Sequence, residues 1–395
     1  MNWMRMPSLI CVGGLLVALA WVAPAPAQSL SAQSLADRVA ALANDAVNAD
    51  RITGVVIGVE PAVGAPIVAA AGLADRSTGA AMETTTRFKV ASIAKTFLAA
   101  LALKLQEEHK LALDDKLSVL LPDIPSAGRV SLRQLLTHTS GYDDYYTDAL
   151  IAAAKAAPKK PWTVRELIRF ARPDHLRFQP GSRYDYSNTN YLLLGLALAA
   201  AGNEPVSDAI RRRFLAPLHL DGTWIGPPDA VPAEGLAHGY AVTEDSGDKR
   251  DVTDQNLVTG GADGVMLSTV PDLVQWCRAL FERRTLDRKE LAEMLAFVTP
   301  PDDEPVAGVG YGLGVEKFRI DGVEFLGHTG SRVGYESVML YQPATRTVLV
   351  IAFNEDPVDE SLLDILMERA VKAIEASGAV RFPHAPDPEA QSPKE

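Results

Sequence analysis

The chain has 395 residues, of which 47% are hydrophobic and 22% are charged, a composition that excludes a disordered, collagen-like or polytopic membrane protein. The formal net charge of −12 repels a phosphate backbone, so we expect no nucleic-acid partner. The 7 His and 2 Cys residues show no metal-ligand spacing, so we expect no metal site and no cofactor.

Residues 1–27 have the layout of a secretory signal peptide. Arg5 is the only charge, an apolar run follows from Leu9 to Val22, and an Ala-Pro-Ala cleavage signal stands at 25–27. The run is shorter than the ~20 apolar residues that a membrane-spanning helix needs, which disfavours a single membrane anchor. We therefore expect cleavage at the end of this segment, a periplasmic or secreted location, and no membrane span in the mature chain.

Hydrophobic periodicity predicts helices in the centre of the chain and strands towards both ends. It predicts a helix over 34–48, then two strands, Gly54–Glu60 and Pro66–Gly72. The central helices are expected at Ile93–Glu108, Leu132–Thr137, Val164–Ala171, Tyr191–Ala201, Val206–Leu215, Val270–Phe281 and Leu286–Phe297. Later strands are expected at Tyr311–Phe318, Val323–His328, Tyr335–Tyr341 and Thr347–Phe353, before a last helix at Val358–Ala376.

This order of elements predicts an α+β fold with two lobes. Neither set of strands can bury a face alone, so we expect one antiparallel sheet built from both chain ends and flanked by the terminal helices. The α/β lobe is expected to comprise residues 28–90 and 300–381, with a mostly helical lobe, about 91–299, inserted between them. A cleft between the lobes is the expected binding site. Residues 382–395 hold four prolines and are predicted to form a disordered tail.

A Ser-x-x-Lys pattern, Ser92 and Lys95, opens the first central helix. Residues three apart lie on one helical face, so the hydroxyl and the amine can touch. A lysine desolvated at a helix N-terminus can act as the base that a serine nucleophile needs. A second copy, Ser246 to Lys249, lies in a polar Gly/Asp-rich stretch and is interpreted as a solvated loop.

Tyr186-Ser187-Asn188 precedes the apolar helix from Tyr191. A phenol can relay a proton between a nucleophile and a leaving group, and an amide can donate to a substrate carbonyl. Taken alone, the segment is better explained as a loop whose Asn caps the next helix.

His328-Thr329-Gly330-Ser331 stands at the end of a predicted strand. If the strand continues, the two hydroxyls share one face and can bind a substrate carboxylate, while Gly330 allows the main chain to approach closely. The Ser331 N–H can join that of Ser92 in binding an oxyanion. Taken alone, this segment is better explained as a tight turn.

In this order the three motifs resemble those of serine β-lactamases and penicillin-binding proteins, and above all class C β-lactamases and D-alanyl-D-alanine carboxypeptidases. Two other stretches support the resemblance: Leu135–Gly141 (LLTHTSG) and the Gly/Ser/Thr residues at 260–269. The resemblance spans roughly residues 35 to 375 and implies the β-lactamase/transpeptidase-like fold.

By position, the resemblance implies Ser92 as the acylated nucleophile, Lys95 as its activating base and Tyr186 as the proton relay. The implied substrate-binding residues are Asn188, His328, Thr329, Gly330 and Ser331. Most β-lactamases carry a Lys where His328 stands, and a His is charged only in part near neutral pH. A peptidase or an esterase therefore fits better than a β-lactamase.

The expected function is that of an exported serine hydrolase that acts through an acyl-enzyme on Ser92. D-alanyl peptide amides, cleaved as by a DD-carboxypeptidase, are the first expectation for its substrates. Three alternatives stay open: an esterase of the same fold acting on small acyl esters, a β-lactamase, and a non-catalytic penicillin- or peptidoglycan-binding domain. The expected partner is a small molecule or a peptide, including peptidoglycan-derived peptides.

Overall fold

The structure, a computed structural model, describes most of the chain after the predicted leader. The described residues are 27–49, 51–157, 160, 162–226, 231–243, 246–254, 266–299, 308–356 and 361–384. The predicted signal peptide up to residue 26, the glycines at 260–264 and the tail from residue 385 therefore lie outside the described residues.

Most of the predicted helices are confirmed, with boundaries shifted by a few residues. The α-helices are α1 Ala27–Asn48, α2 Ala94–Glu107, α3 Leu132–Leu136, α4 Asp148–Ala156, α5 Val164–Phe170, α6 Asn188–Gly202, α7 Val206–Ile210, α8 Val270–Phe281, α9 Arg288–Met294 and α10 Leu362–Ala376. Short 3₁₀ turns at Ala91–Ile93 and Leu117–Val119, and a π-helix at Arg211–Leu215, complete the helical structure of this part of the chain.

Apart from the one predicted at Tyr311–Phe318, the strands near both chain ends are likewise confirmed. They are β1 Gly54–Glu60, β2 Ile67–Asp75, β3 Ala80–Ala81, β4 Phe88–Lys89, β5 Trp224–Ile225, β6 Tyr240–Val242, β7 Lys249–Asp251, β8 Met266–Ser268, β9 Gly308–Tyr311, β10 Glu316–Ile320, β11 Val323–Arg332, β12 Tyr335–Gln342, β13 Thr347–Phe353 and β14 Glu355–Asp356. Several of the short strands between β3 and β9 have no counterpart among the predicted elements, because two or three residues carry too little periodicity to be recognised.

One antiparallel sheet joins the two ends of the chain, as predicted. Its eight strands run in the order β3-β2-β1-β13-β12-β11-β10-β9. The join is the β1–β13 pair, in which Val55 lies opposite Phe353 and Val59 opposite Leu349. The strands that frame the His328 segment are therefore held by a sheet whose centre comes from both termini.

The two faces of this sheet are covered by different helices. One face buries Val55 and Ile57 against α1 and α10, and the other buries Val56 and Val350 against the helical part of the chain. Helix α8, which the sequence assigned to the helical lobe, packs directly on this second face. At Gly58 a Cβ would lie only 2.6 Å from the Val270 side chain, so the missing side chain in β1 is what lets α8 approach the sheet.

Helix α2 is the buried centre of the helical region. Its residues from Ala94 to Leu103 are all buried, a pattern expected of a helix enclosed on every side. Trp276 of α8 stacks on Phe97 with ring centroids 3.8 Å apart and donates a 2.9 Å hydrogen bond to Thr96. Helix α8 thus fixes α2, which carries Lys95, against the sheet.

The strand predicted at Tyr311–Phe318 is wrong as one element, because β9 ends at Tyr311 and β10 begins at Glu316. Between them Gly314 adopts a left-handed conformation with φ +66°, and a Cβ there would lie 2.7 Å from the Lys95 carbonyl oxygen. Only glycine accommodates both constraints without strain. The turn brings the start of β10 against α2.

The predicted disordered tail begins too early. Residues 382–384 are ordered: Phe382 is 6% exposed, and its ring centroid lies 5.5 Å from that of Phe325. Its N–H donates to Glu375 over 3.1 Å. Pro383 thus follows an aromatic side chain that is buried on the apolar face beside α10.

Replacement of Trp276 by Ala should destabilise the protein by about 3–5 kcal/mol, because it empties a buried aromatic site and leaves Thr96 without its donor. Urea unfolding monitored by circular dichroism measures the change. The matched control is Val119→Ala, at a position that is 67% exposed, with an expected effect within about 0.5 kcal/mol. Equal effects of the two substitutions would contradict the proposed role of Trp276.

Candidate active site

Ser92 lies on a tight turn between a strand and a helix. Strand β4 ends at Lys89, the 3₁₀ turn covers Ala91–Ile93, and α2 begins at Ala94. Ala91 adopts φ +45°, an uncommon conformation for a residue with a Cβ. Strain of this kind concentrates at functional sites, where the surrounding structure holds it in place. The turn leaves Ser92 half-buried.

The structure brings Ser92, Lys95, Tyr186 and Asn188 together. Lys95 is fully buried, and its Nζ lies 2.8 Å from Ser92 Oγ and 2.9 Å from Asn188 Oδ1. The Tyr186 hydroxyl lies 3.2 Å from the same Ser92 oxygen. One serine oxygen is therefore within hydrogen-bond distance of both an amine and a phenol.

Asn188 is the first residue of α6, and its side chain does not cap that helix. Asp144 provides the cap instead: its Oδ2 accepts hydrogen bonds of 3.0 Å from both the backbone N–H and the Nδ2 of Asn188. With Nδ2 held by this carboxylate, Oδ1 of Asn188 is directed at Lys95. The amide thus connects the buried amine to an acidic group that sequence analysis did not identify.

A chain of hydrogen bonds connects the helical region to β11 through two imidazoles. The Ser187 backbone N–H donates to His138 Nδ1 over 3.2 Å, so the proton of this ring is on Nε2, which lies 3.1 Å from the Tyr311 hydroxyl. Tyr311 then donates to His328 Nε2 over 3.0 Å. At the other end His328 Nδ1 donates to the Thr329 carbonyl over 2.6 Å. Backbone groups at both ends fix both tautomers.

The three titratable rings of this hydrogen-bonded series, His138, Tyr311 and His328, are held in their neutral forms. Burial, reinforced by the charge of Lys95, lowers the pKa of His328 to about 3, and burial lowers the pKa of His138 well below its usual value. Burial also raises the pKa of Tyr311 well above its ordinary value. His328 therefore carries no charge near neutral pH. Most β-lactamases have a Lys at the position of this residue.

Tyr186 is placed by stacking as well as by hydrogen bonding. Its ring lies on the His138 ring, with centroids 4.1 Å apart and planes inclined by 30°. Burial raises the pKa of Tyr186 well above 10, and the negative charge of Glu316 is the second cause of this shift. The phenol is thus a proton donor at rest, and Lys95 is the better candidate for the base that accepts the Ser92 proton. His138, to which the sequence assigned no chemistry, positions this phenol.

The His328 segment continues β11 as far as Arg332, and it is not a tight turn. Its pairing with β10 starts at Gly327 opposite Glu316, so residues 328–332 extend past the end of β10 with one edge unpaired by that strand. At Gly330 a Cβ would lie 2.3 Å from the Val90 carbonyl oxygen. The absence of a side chain lets β11 lie directly against the turn that carries Ser92.

Thr329 and Ser331, whose hydroxyls were expected to bind a substrate carboxylate, both donate them to carboxylates of the protein. The Thr329 N–H donates to Glu316 over 3.0 Å, and its hydroxyl donates to the same oxygen over 3.2 Å. The Ser331 hydroxyl donates to Glu336 over 2.5 Å. Because each hydroxyl has one hydrogen, these contacts leave neither with a proton for a ligand.

Glu316 is a second acidic site residue, after Asp144, that sequence analysis missed. It is 2% exposed, its Oε1 lies 3.5 Å from His328 Nδ1, and burial raises its pKa to about 7. A signal was available: Glu316 shares a strand face with Phe318 and Ile320, both buried. A carboxylate at an inward-facing position of an apolar strand is costly and is often functional.

The second Ser-x-x-Lys copy does not form a comparable pair. The Ser246 hydroxyl donates to Asp248 over 2.8 Å, whereas Lys249 donates to Glu355 over 2.5 Å. The interpretation of this copy as a polar surface segment agrees with these contacts, although Lys249 begins the short strand β7.

Two features of the described residues bear on ligands and partners. Within those residues, no group of three or more His, Cys, Asp and Glu side chains is arranged to hold a metal ion. None of the helices in the same part of the chain combines the length and the hydrophobicity that crossing a bilayer requires.

The sequence model of the Beta-lactamase family matches residues 39–372. The chain belongs to the β-lactamase family. This family consists of serine hydrolases, and its fold has the open antiparallel sheet and flanking helices described above. The resemblance inferred from the motifs of Ser92, Tyr186 and His328 is thus confirmed at the level of the family.

Relatives of this β-lactamase family member carry peptidase and amidase names. It is 26% identical over 302 residues to penicillin-binding protein 4* of Bacillus subtilis (strain 168), covering 72% of this chain and 64% of the relative. It is 25% identical over 275 residues to a D-aminopeptidase of Gluconobacter oxydans (strain 621H), covering 68% of this chain and 49% of the relative. The chain thus spans about half to two thirds of the length of these curated relatives.

A solved structure matches this β-lactamase family member over nearly its whole length. The D-amino acid amidase of Ochrobactrum anthropi SV3, complexed with D-phenylalanine, superposes with a TM-score of 0.79 at 28% identity. The match covers 87% of this chain and 99% of the amidase.

Replacement of Asp144 by Asn should lower kcat about 10- to 100-fold. The Asn188 amide then loses the carboxylate that holds it, and Lys95 is no longer oriented by that amide. Steady-state hydrolysis of an aryl ester, measured beside thermal unfolding, separates this loss from instability. The matched control is Asp143→Asn, since the Asp143 carboxylate faces Arg172 at 3.6 Å and Arg177 at 3.8 Å. Full activity of the Asp144 variant, or an equal loss in both, would contradict the positioning role.

Proposed function

We propose that the chain hydrolyses amide bonds of D-amino-acid derivatives through an acyl-enzyme formed on Ser92. The observation that carries this proposal is the position of Ser92 Oγ, 2.8 Å from the Lys95 amine and 3.2 Å from the Tyr186 phenol. A serine hydroxyl is a weak nucleophile until a base lies within reach, and a leaving amine needs a proton donor. This arrangement supplies both.

In the acylation step, which starts from the neutral amine of Lys95, Ser92 Oγ attacks the substrate carbonyl carbon while its proton passes to that amine. The carbonyl oxygen becomes an oxyanion, which the N–H groups of Ser92 and Ser331 can stabilise. When the C–N bond breaks, the departing nitrogen takes the Tyr186 proton, and Lys95 returns its extra proton to Tyr186. The products are an ester on Ser92 and a neutral amine.

In the deacylation step, water replaces the amine. Its proton is removed by the same Lys95–Tyr186 pair as its oxygen attacks the ester carbonyl, and Ser92 Oγ is reprotonated as the acid leaves. No step requires a metal or an organic cofactor. The buried Lys95 and the half-buried Tyr186 are thus used in both halves of the cycle.

The choice of substrate class is supported by the relatives and by His328. Their printed names include a D-aminopeptidase and a D-amino acid amidase bound to D-phenylalanine, so D-alanyl peptides and amides are the first substrates to test. An esterase would use the same acyl-enzyme and stays as the alternative. The neutral His328 weighs against efficient β-lactam hydrolysis, and the intact Ser92–Lys95–Tyr186 arrangement weighs against a non-catalytic domain. The periplasmic or secreted location is proposed from residues 1–27 alone.

Replacement of Ser92 by Ala should abolish turnover while the fold is retained, because no other hydroxyl occupies this position. Lys95→Ala and Tyr186→Phe should each lower the acylation rate by roughly 10²- to 10⁴-fold, the range typical of general acid–base groups. Stopped-flow release of p-nitroaniline from D-alanine p-nitroanilide, with the L-enantiomer beside it, measures these rates.

The control for these three variants is Ser246→Ala, in the second Ser-x-x-Lys copy, which should keep the wild-type rate. A fully active Lys95→Ala protein would show that another group is the base. Hydrolysis of p-nitrophenyl esters together with a complete lack of activity on D-alanyl amides would favour the esterase alternative.

A further inference from the structure

The side-chain donors of the His328–Ser331 segment, together with the Thr329 N–H, donate to protein acceptors. His328 Nδ1 donates to the Thr329 carbonyl, the Thr329 N–H and hydroxyl donate to Glu316, and the Ser331 hydroxyl donates to Glu336. His328 Nε2 accepts from Tyr311. What Thr329 Oγ1 still offers a ligand is a lone pair, which attracts a hydrogen-bond donor and repels an anion.

From this arrangement we infer that Glu316 is a specificity-determining residue that excludes substrates whose leaving group carries a carboxylate. The inference rests on the proposed function and refines it, because it separates two kinds of amide. An amide whose leaving group is neutral is accepted, whereas a peptide that ends in a free C-terminal carboxylate just beyond the scissile bond is rejected.

The register of β10 and β11 places Glu316 beside the leaving group. Backbone N–H groups two residues apart point to the same edge of a strand, so the N–H groups of Thr329 and Ser331 both point to the edge on which Glu316 lies, ~6.6 Å apart. Ser331 N–H is available to the scissile carbonyl, and Thr329 N–H is already occupied by the Glu316 carboxylate. A carboxylate on the leaving group would be brought along this edge towards Glu316.

The charge of this edge is opposite to the one that recognises carboxylates. His328 is neutral, and Glu316 adds a negative charge that the Thr329 donors stabilise. Arg332, the cation that follows Ser331, acts through its charge on Lys89, Tyr146 and Tyr335. Like charges brought together in a site with little water are strongly disfavoured.

The test compares two leaving groups that differ only in the terminal charge. D-alanyl-D-alanine releases D-alanine, and D-alanyl-D-alaninamide releases D-alaninamide. A second pair with an Nα-acetyl group covers a requirement for a blocked amine. Product release, quantified by liquid chromatography and mass spectrometry, gives kcat/KM for each. For the wild-type chain we expect a preference for the carboxamide of at least roughly tenfold at pH 8.

Glu316→Gln keeps the shape of the side chain and removes its charge, and it should reduce this preference by about tenfold. The readout is the ratio of two substrates, so a uniform loss of activity in the variant does not affect it. The matched control is Glu324→Gln, since Glu324 lies on the neighbouring strand β11, at the end opposite to Thr329, and pairs with Lys317 at 3.1 Å. The control should keep the wild-type ratio.

The pH dependence of the wild-type ratio is a second readout that needs no variant. With a pKa near 7, Glu316 is mostly ionised at pH 8 and mostly protonated at pH 6, so the preference should widen as the pH rises. The titratable groups that face Glu316 are His328, Lys95, Tyr186, Tyr191 and Tyr311. His328 stays neutral and the three tyrosines stay protonated over this interval, and the Glu316→Gln protein controls for Lys95 because its ratio should not change with pH.

The outcomes separate the inference from the proposed function. Turnover of both members of a pair at equal rates, or a preference for the carboxylate, would overturn the inference and leave the amidase proposal standing. A wild-type preference that Glu316→Gln does not change would assign the selectivity to another group and also overturn it. The absence of turnover for both pairs, together with an unreactive Ser92, would overturn the proposed function and the inference with it.

Discussion

The burial of one amine constrains the whole site. Lys95 has no exposed surface, and a buried amine is tolerated only when protein groups satisfy its hydrogen bonds. Its acceptors come from separate elements: Ser92 from the turn before α2 and Asn188 from the start of α6. Asn188 is held in turn by Asp144. Separating these elements would leave the amine unsatisfied, so the interaction that activates the serine also stabilises the packing of the helical region.

A second constraint couples that region to the sheet without using charge. The chain from His138 through Tyr311 to His328 ends on backbone groups, and burial keeps both imidazoles neutral. A lysine at position 328 would bring a fixed cation into the same place. With a neutral ring there, Glu316 is the acid that lies beside His328 and Thr329, and we infer that it reverses the electrostatics of the leaving-group side. The neutral side chain of His328 and the acidic side chain of Glu316 therefore change the charge of this edge in the same direction.

Sequence reasoning identified the elements with strong periodicity and the residues with distinctive chemistry. Strand Thr347–Phe353 and helix Val270–Phe281 are recovered residue for residue, because buried strands and amphipathic helices carry clear patterns. Asp144 and Glu316 were missed, since their importance lies in contacts across the fold that spacing does not encode. The turn at Gly314 and the packing of Phe382 were missed for the same reason: neighbours distant in sequence decide both.

The central claim is that Ser92 is the residue that becomes acylated, and a covalent label tests it most directly. A fluorophosphonate probe followed by trypsin should modify the peptide Val90–Lys95, which lies between two lysines and contains Ser92 as its single hydroxyl. Excess D-alanyl amide should slow the labelling, because substrate and probe compete for one nucleophile. The account predicts the adduct on this peptide, protected by substrate. An adduct confined to another peptide, or turnover that continues unchanged after complete labelling of Ser92, would contradict it.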